Sequence, residues 1–330
     1  MPSDAELAAQ EDRGRQANRP GAIPLKGWKD IGWRIFRSIG QDRILLTSAG
    51  VTFYLLFALV PTLTAFVSVY GLFNERSTVI DQVSLLVGIV PTSGINIITD
   101  QLTRLAGESD GALGFALVIS LSVAFWSSSA GIKALFQAMN VAYLETEKRS
   151  FIVLNLIALS FTVLGAIAGL LIVAVVLVMP TVLNFLPGRS GLEWLVRITG
   201  YLAMLMVLVV GIASLYRWGP SREDAKWRWL TPGAGFALIA LSATSIGYSW
   251  YVSNVGDYNA AYGSLGALIG FLTWIWISVT IVILGAEFNS ELEHQTAQDT
   301  TTGPDEPLGE RGAYMADTIG QVWPPARGDK

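Results

Sequence analysis

YVSNVGDYNAAYGSLGALIGFLTWIWISVTIVILGAEFNSELE, residues 251–293, decides the fold, because it holds one complete apolar span together with both of its ends. No charge occurs from Gly263 to Ala286. At about 1.5 Å rise per residue this run makes a helix of roughly 36 Å, enough to cross a hydrocarbon core about 30 Å thick with modest tilt. Upstream lies a segment rich in Gly, Asn and Tyr, and downstream a carboxylate cluster of Glu287, Glu291 and Glu293. Polar ends of this kind fix where a span stops.

Five more charge-free runs precede it, at 44–73, 111–132, 151–180, 198–216 and 230–256, each long enough to cross as a helix. With 52% hydrophobic residues and the charges collected between the runs, the composition is that of a polytopic membrane protein. The expected fold is all-α, with six transmembrane helices (263–286 the last) and amphipathic interfacial helices in a membrane domain at 26–293. Residues 1–25 and the acidic 294–330 are polar and turn-rich, and are expected to be disordered. Eighteen of the 22 Lys and Arg residues fall on the side that holds both termini, so the positive-inside rule predicts both termini in the cytoplasm.

Local patterns refine this. Trp28, Ile31, Ile35 and Ile39 share a helical face opposite Lys26, Asp30, Arg34 and Arg37, which suits an amphipathic helix in the headgroup layer or a helix docked on the bundle. Pro61 inside the first run predicts a kink. The stripes Val79 to Val90 and Ile98 to Leu105 predict two short helices over the outer mouth, and Lys133 to Leu144 should prolong the second span. Glycines four apart, Gly165 with Gly169 and Gly266 with Gly270, predict close helix packing.

Several functions are disfavoured. A net charge of −4 and a pI near 5.2 argue against nucleic acid, whose phosphates need clustered Lys and Arg. The absence of cysteine removes disulfides and thiolate metal sites. The start, MPSDAELAAQEDRGRQ, lacks the apolar core of a signal peptide. His294 is the single histidine, no phosphate loop, zinc pattern or nucleophile elbow occurs, and Ser127 to Ser129 read as small packing residues. No catalytic residue, metal or cofactor is expected.

Two clusters remain as candidate sites. At the outer end, Asn254, Asp257, Tyr258, Asn259 and Tyr262 interleave with Gly263 and Gly266; with Tyr54 and Pro61 they form a candidate substrate path or gate, or else a rigid capped turn. At the inner end, Trp218, Trp227 and Trp229 with Arg217, Arg222, Lys226 and Arg228 make an aromatic and basic belt, which anchors the bundle or binds anionic headgroups at about 1 kcal/mol per basic residue, and Trp126 and Lys133 join the same inner-face cluster. Glu287, Asn289 and Glu291 belong to the same end, and the two carboxylates, four apart, are expected to pair with its arginines.

The pattern YVSN-G-YN--YGSLGA, followed by a Trp-rich span and GAE-N-ELE, resembles the YihY / virulence factor BrkB family of bacterial inner-membrane proteins. AGVTFYLLFALVPTLTAFVSVYGLF (49–73), WSSSAGIKALFQAMNVAY (126–143) and LYRWGP with KWRWLTPG (215–233) extend the resemblance in order, over about residues 28–293. It implies a multi-pass protein of the cell inner membrane. The family's older label, ribonuclease BN, finds no basic groove or acid–base pair to support it here. The expected function is flux of a small or amphiphilic, lipid-like solute, with a membrane scaffold for envelope integrity as the alternative. Membrane lipids are the expected partners, with anionic headgroups on the cytoplasmic face; nucleic acid is not, and a homo-oligomer stays open.

Overall fold

A computed structural model describes residues 10–70, 95–96, 99–100, 103, 113–184, 190–256 and 258–324. Among these, α1 (Leu25–Gln41) leads into six long helices: α2 (Ile44–Tyr70), α3 (Leu113–Ala142), α4 (Phe151–Asn184), α5 (Ser190–Trp218), α6 (Trp227–Asn254) and, after the one-turn α7 (Tyr258–Tyr262), α8 (Gly266–Glu293). A one-turn α9 (Tyr314–Asp317) follows near the chain end. The described residues hold no strand, only an isolated bridge between Ala225 and Thr301. Among the described residues, four segments are long and apolar enough to cross a membrane: Phe151–Gly169, Glu193–Trp218, Trp227–Asn254 and Gly266–Glu293. The hydroxyls inside the apolar helices satisfy themselves locally. Ser48, Thr52, Thr162, Ser242, Thr273, Ser278 and Thr280 each donate to the carbonyl four residues back, as water-free surroundings require.

α8 is the hub. It packs against α6, α2, α3 and α1, while chain neighbours α2 to α6 lie side by side in succession. Ile44, Val51, Phe136, Met139, Tyr216, Leu230, Val279 and Ile283 form the main core between them. α4 and α5 turn Leu156, Leu164, Leu202 and Met206 outward, the surface a hydrocarbon solvent would cover. α3 does continue to Ala142, as the sequence predicts. The apolar stripes of the two mouth helices expected before it (79–90, and positions 98, 102 and 105), and the side chain of Pro61, lie outside the described residues.

Close helix approach also occurs at glycines that the spacing did not single out, and one of the two expected pairs lacks it. A Cβ on Gly233 of α6 would stand 2.2 Å from the Gly285 carbonyl of α8, and one on Gly285 would stand 2.3 Å from the Tyr216 hydroxyl. Gly165 and Gly169 face open space. Spacing by four marks a helix face, and it does not say whether a partner lies there.

The larger correction concerns the two tails, which are folded where they are described. Residues 10–24 and 294–324 interlock over the α8 C-terminus and close that end of the bundle. Arg15 is buried, donating to the carbonyls of Gln295 at 3.0 Å and Gly320 at 2.7 Å. Arg311 does the same for Ala316 at 2.7 Å and Ala297 at 2.8 Å. Thr302 N–H donates to the Asp224 carbonyl at 2.8 Å, and Lys226 N–H to the Thr300 carbonyl at 2.8 Å, stitching the tail to the α5–α6 connection. A scarcity of apolar residues suggests disorder because little surface can be buried; here guanidinium-to-backbone bonds hold the segment instead.

α1 takes the docked alternative, with the expected apolar face inward (Ile31 buried, Trp28, Ile35 and Ile39 packed on the core) and part of its polar face buried as well. Asp30 and Arg34, read as solvent-facing, are buried. Asp30 accepts from Arg13 at 2.7 Å and from the Trp323 N–H at 2.7 Å, whereas Leu25 and Phe36 are exposed. The ordered tails supply partners that helical periodicity alone cannot reveal.

Candidate functional site

The C-terminal turns of α8 carry the densest buried polar chemistry among the described residues, on two faces. Glu287, Glu291 and His294 face α1, at spacings of four and three, while Asn289 and Glu293 face α6 and the α5–α6 connection. Glu291 and Arg34 are ion-paired and both buried; Arg34 also donates to Gln295 Oε1 at 2.8 Å and to the Glu291 carbonyl at 3.1 Å. His294 Nδ1 lies 3.6 Å from Glu291 Oε2, closing this face as a helix-end residue. Glu293 accepts from Arg222 at 2.7 Å and from the Thr300 hydroxyl at 2.8 Å. Burial works against the charge on Arg222, but Glu293 beside it leaves its pKa above the usual value. The Arg222 guanidinium stacks 4.6 Å from the Tyr143 ring, whose phenol burial pushes upward.

Glu287 stands apart. It is buried, faces Ser38 in the last turn of α1 and Asp42 of the α1–α2 turn, and no described arginine pairs with it; its Oε1, like Tyr143 Oη, Arg222 Nη1 and Glu293 Oε1, has no hydrogen-bond partner among the described groups. Burial also raises the pKa of Asp42, with a hydrogen bond to Glu287 opposing and the Glu291 charge reinforcing. The expected pairing of Glu287 and Glu291 with Arg217, Arg222 and Arg228 is therefore replaced: Glu291 takes Arg34, Glu293 takes Arg222, and Glu287 takes a carboxyl neighbour.

Asn289 bridges two helices. Its Oδ1 accepts from Gly233 N–H at 2.7 Å and its Nδ2 donates to the Leu230 carbonyl at 3.0 Å, on either side of Pro232. It serves the α6–α8 seam.

The aromatic belt divides. Arg217 lies 5.0 Å from the Trp227 ring and 5.8 Å from Trp218, and it pairs with Asp224 at 3.3 Å. Arg228 is exposed. Trp229, two residues from Trp227 and hence on the other side of the helix, is fully buried with Ile31 and Leu292. Trp126 and Lys133 lie on a separate face, at the α3–α4 seam, where Lys133 donates to Asn155 at 2.9 Å.

At the opposite end, the candidate gate is a helical turn bound by tyrosines. Tyr248 Oη donates to the Gly270 carbonyl at 2.9 Å and lies 3.1 Å from Tyr258 Oη, and Tyr258 stacks on Tyr262. Gly263 takes φ +57°, a conformation that favours glycine, before α8 starts at the buried Gly266. Asn254 donates to the Trp250 carbonyl one turn back in its own helix. Asp257 and the Asn259 side chain lie outside the described residues. Tyr54 is exposed on α2 beside Phe53. Sequence reading missed Asp42, Ser38 and Tyr143 as neighbours of Glu287, because they converge only when α1 and the α3 end close on α8.

The sequence profile described as Virulence factor BrkB matches residues 35–309. A protein of Bacillus subtilis (strain 168) called putative ribonuclease-like protein YfkH is 29% identical over 262 residues, 74% of this chain and 88% of that protein. A UPF0761 membrane protein of Alkalilimnicola ehrlichii is 28% identical over 262 residues, 76% of this chain and 56% of its own length, so this chain spans little more than half of that relative. The UPF0761 membrane protein PSHAa0171 of Pseudoalteromonas translucida is 23% identical over 270 residues, covering 79% and 85%. No solved structure matches.

Proposed function

The chain belongs to the Virulence factor BrkB family, which its UPF0761 relatives mark as one of membrane proteins, and from that premise we propose a six-span protein of the bacterial cytoplasmic membrane that passes a small or amphiphilic solute. In this reading the interlocked tails lie in the cytoplasm, in keeping with the distribution of Lys and Arg. The observation that carries it is the buried polar cluster around Glu287, in the last turns of the hub helix. Ionisable groups in such places are expensive and are kept mainly for moving or binding solutes. The reading includes no covalent chemistry. Purified protein should leave precursor RNA intact with magnesium, manganese or zinc present, although one relative's name is ribonuclease-like.

The test is reconstitution. Proteoliposomes carrying fluorescent phospholipid, or loaded with a panel of small solutes, should show flux with wild type. Glu287→Gln should lose at least about tenfold of that rate, about 1.4 kcal/mol, while its melting temperature stays near wild type. Folded protein that moves nothing in the panel, alongside envelope defects in a deletion strain, would favour a second reading. That reading, a membrane scaffold, draws on the broad apolar surface of α4 and α5.

A further inference from the structure

The α3–α4 seam carries a charge whose environment is incomplete. Lys133 lies on the same stripe of α3 as Trp126, two turns away, and its ammonium stands 5.8 Å from that ring. Its one hydrogen-bond acceptor is neutral, Asn155 Oδ1 at 2.9 Å, and among the described residues no carboxylate pairs with it. Four neighbouring cations are matched: Lys148 with Glu145, Arg149 with Glu147, Arg217 with Asp224, Arg222 with Glu293. Lys133 is part-buried and sits one helical turn inside the start of α4, flanked by apolar side chains exposed to the surroundings: Trp126 (76% exposed), Phe151 (77%) and Ile152 (69%). A lysine in an apolar wall directs its ammonium toward the headgroup layer, and an indole beside it suits the same depth. Anionic lipid supplies the missing opposite charge there, and its acyl chains supply cover for the exposed side chains.

We propose that Lys133, with Trp126 beside it, holds the phosphate of an anionic membrane phospholipid at the α3–α4 seam. The assignment rests on the reading of the chain as membrane-spanning, but it is independent of solute flux. Asn155 fixes the lysine by one bond and leaves two ammonium protons for phosphate oxygens.

The full chain in a nonionic detergent is titrated with phosphatidylglycerol or phosphatidylcholine, and binding is read from the melting temperature and from lipid retained on the protein by mass spectrometry. Wild type should bind phosphatidylglycerol about tenfold more tightly. Lys133→Gln should bring the two lipids within about twofold, Lys133→Arg should keep the preference, and Lys29→Gln, removing an exposed cation of α1, should leave it unchanged. A preference that survives Lys133→Gln, or that falls equally in Lys29→Gln, overturns the site. Displacement of phosphatidylglycerol by millimolar inorganic phosphate would show a soluble-anion site and overturn the lipid assignment. Should Lys133→Gln fail to fold, brominated lipids give the answer in wild type. Brominated phosphatidylglycerol should quench tryptophan emission more than the phosphatidylcholine analogue, and the excess should vanish in Trp126→Phe; an excess that persists there contradicts the proposal.

Discussion

Asn289 was legible in the sequence as a member of a polar helix end, but not in its role. Its amide is spent on the α6 backbone at Gly233 and Leu230, so Asn289→Leu strips two buried partners at once. The expected cost is about 2–3 kcal/mol, read as a lowered melting temperature with native oligomeric behaviour. Asp42 makes a different prediction. Its folded pKa is raised from 3.8, so its contribution to stability is present in full below the unfolded value and is lost as pH rises through the folded one. Asp42→Asn, which stays neutral, should therefore gain stability relative to wild type as pH rises, and melting curves at acid and neutral pH check the sign. An advantage confined to acid pH would mean that Asp42 is held as the charged form. Sequence spacing identified Glu287 as a candidate, because a carboxylate at a span end is visible in one dimension. Its neighbours come from α1 and its turn and from the α3 end, and no spacing rule connects those.

At the scale of elements, charge-free length was enough to find each long helix, since hydropathy depends on local composition. Packing partners were harder: Gly165 and Gly169 carry the expected small-residue spacing in open space, while Gly233 and Gly285 make the tight crossing. The end of α3 offers a test of local geometry. Leu144 N–H donates to the Val141 carbonyl at 3.0 Å and Glu145 N–H to the Asn140 carbonyl at 2.8 Å, the paired bonds of a Schellman ending, and Leu144 takes φ 50° at the position where glycine is favoured. Because Leu144 is about half exposed, removing its side chain loses little packing. Leu144→Gly should stabilise the protein by about 0.5–1 kcal/mol, measured by thermal or denaturant unfolding. A clear loss of stability would show that the side chain contributes more by packing than it costs by strain.

For the whole molecule, the six apolar runs gave the bundle, and the folded tails are what composition concealed. Polar segments hold together here because Arg15 donates to backbone carbonyls of the other tail, Gln295 donates back to the Arg13 carbonyl, and Arg311 ties carbonyls within its own tail; the crossed pairings are invisible until both chain ends meet. Deleting residues 297–330 should lower the melting temperature by about 5 °C or more, where loss of a disordered tail would change nothing. The most direct test of a six-span bundle whose interlocked tails face the cytoplasm uses the native absence of cysteine. Single cysteines at Ala261 and Thr302, both exposed and at opposite ends of α8, can be probed in intact cells with a membrane-impermeant thiol reagent. Ala261→Cys should label in intact cells and Thr302→Cys only after permeabilisation; labelling of Thr302→Cys from outside, or of Ala261→Cys only in permeabilised cells, would contradict the account.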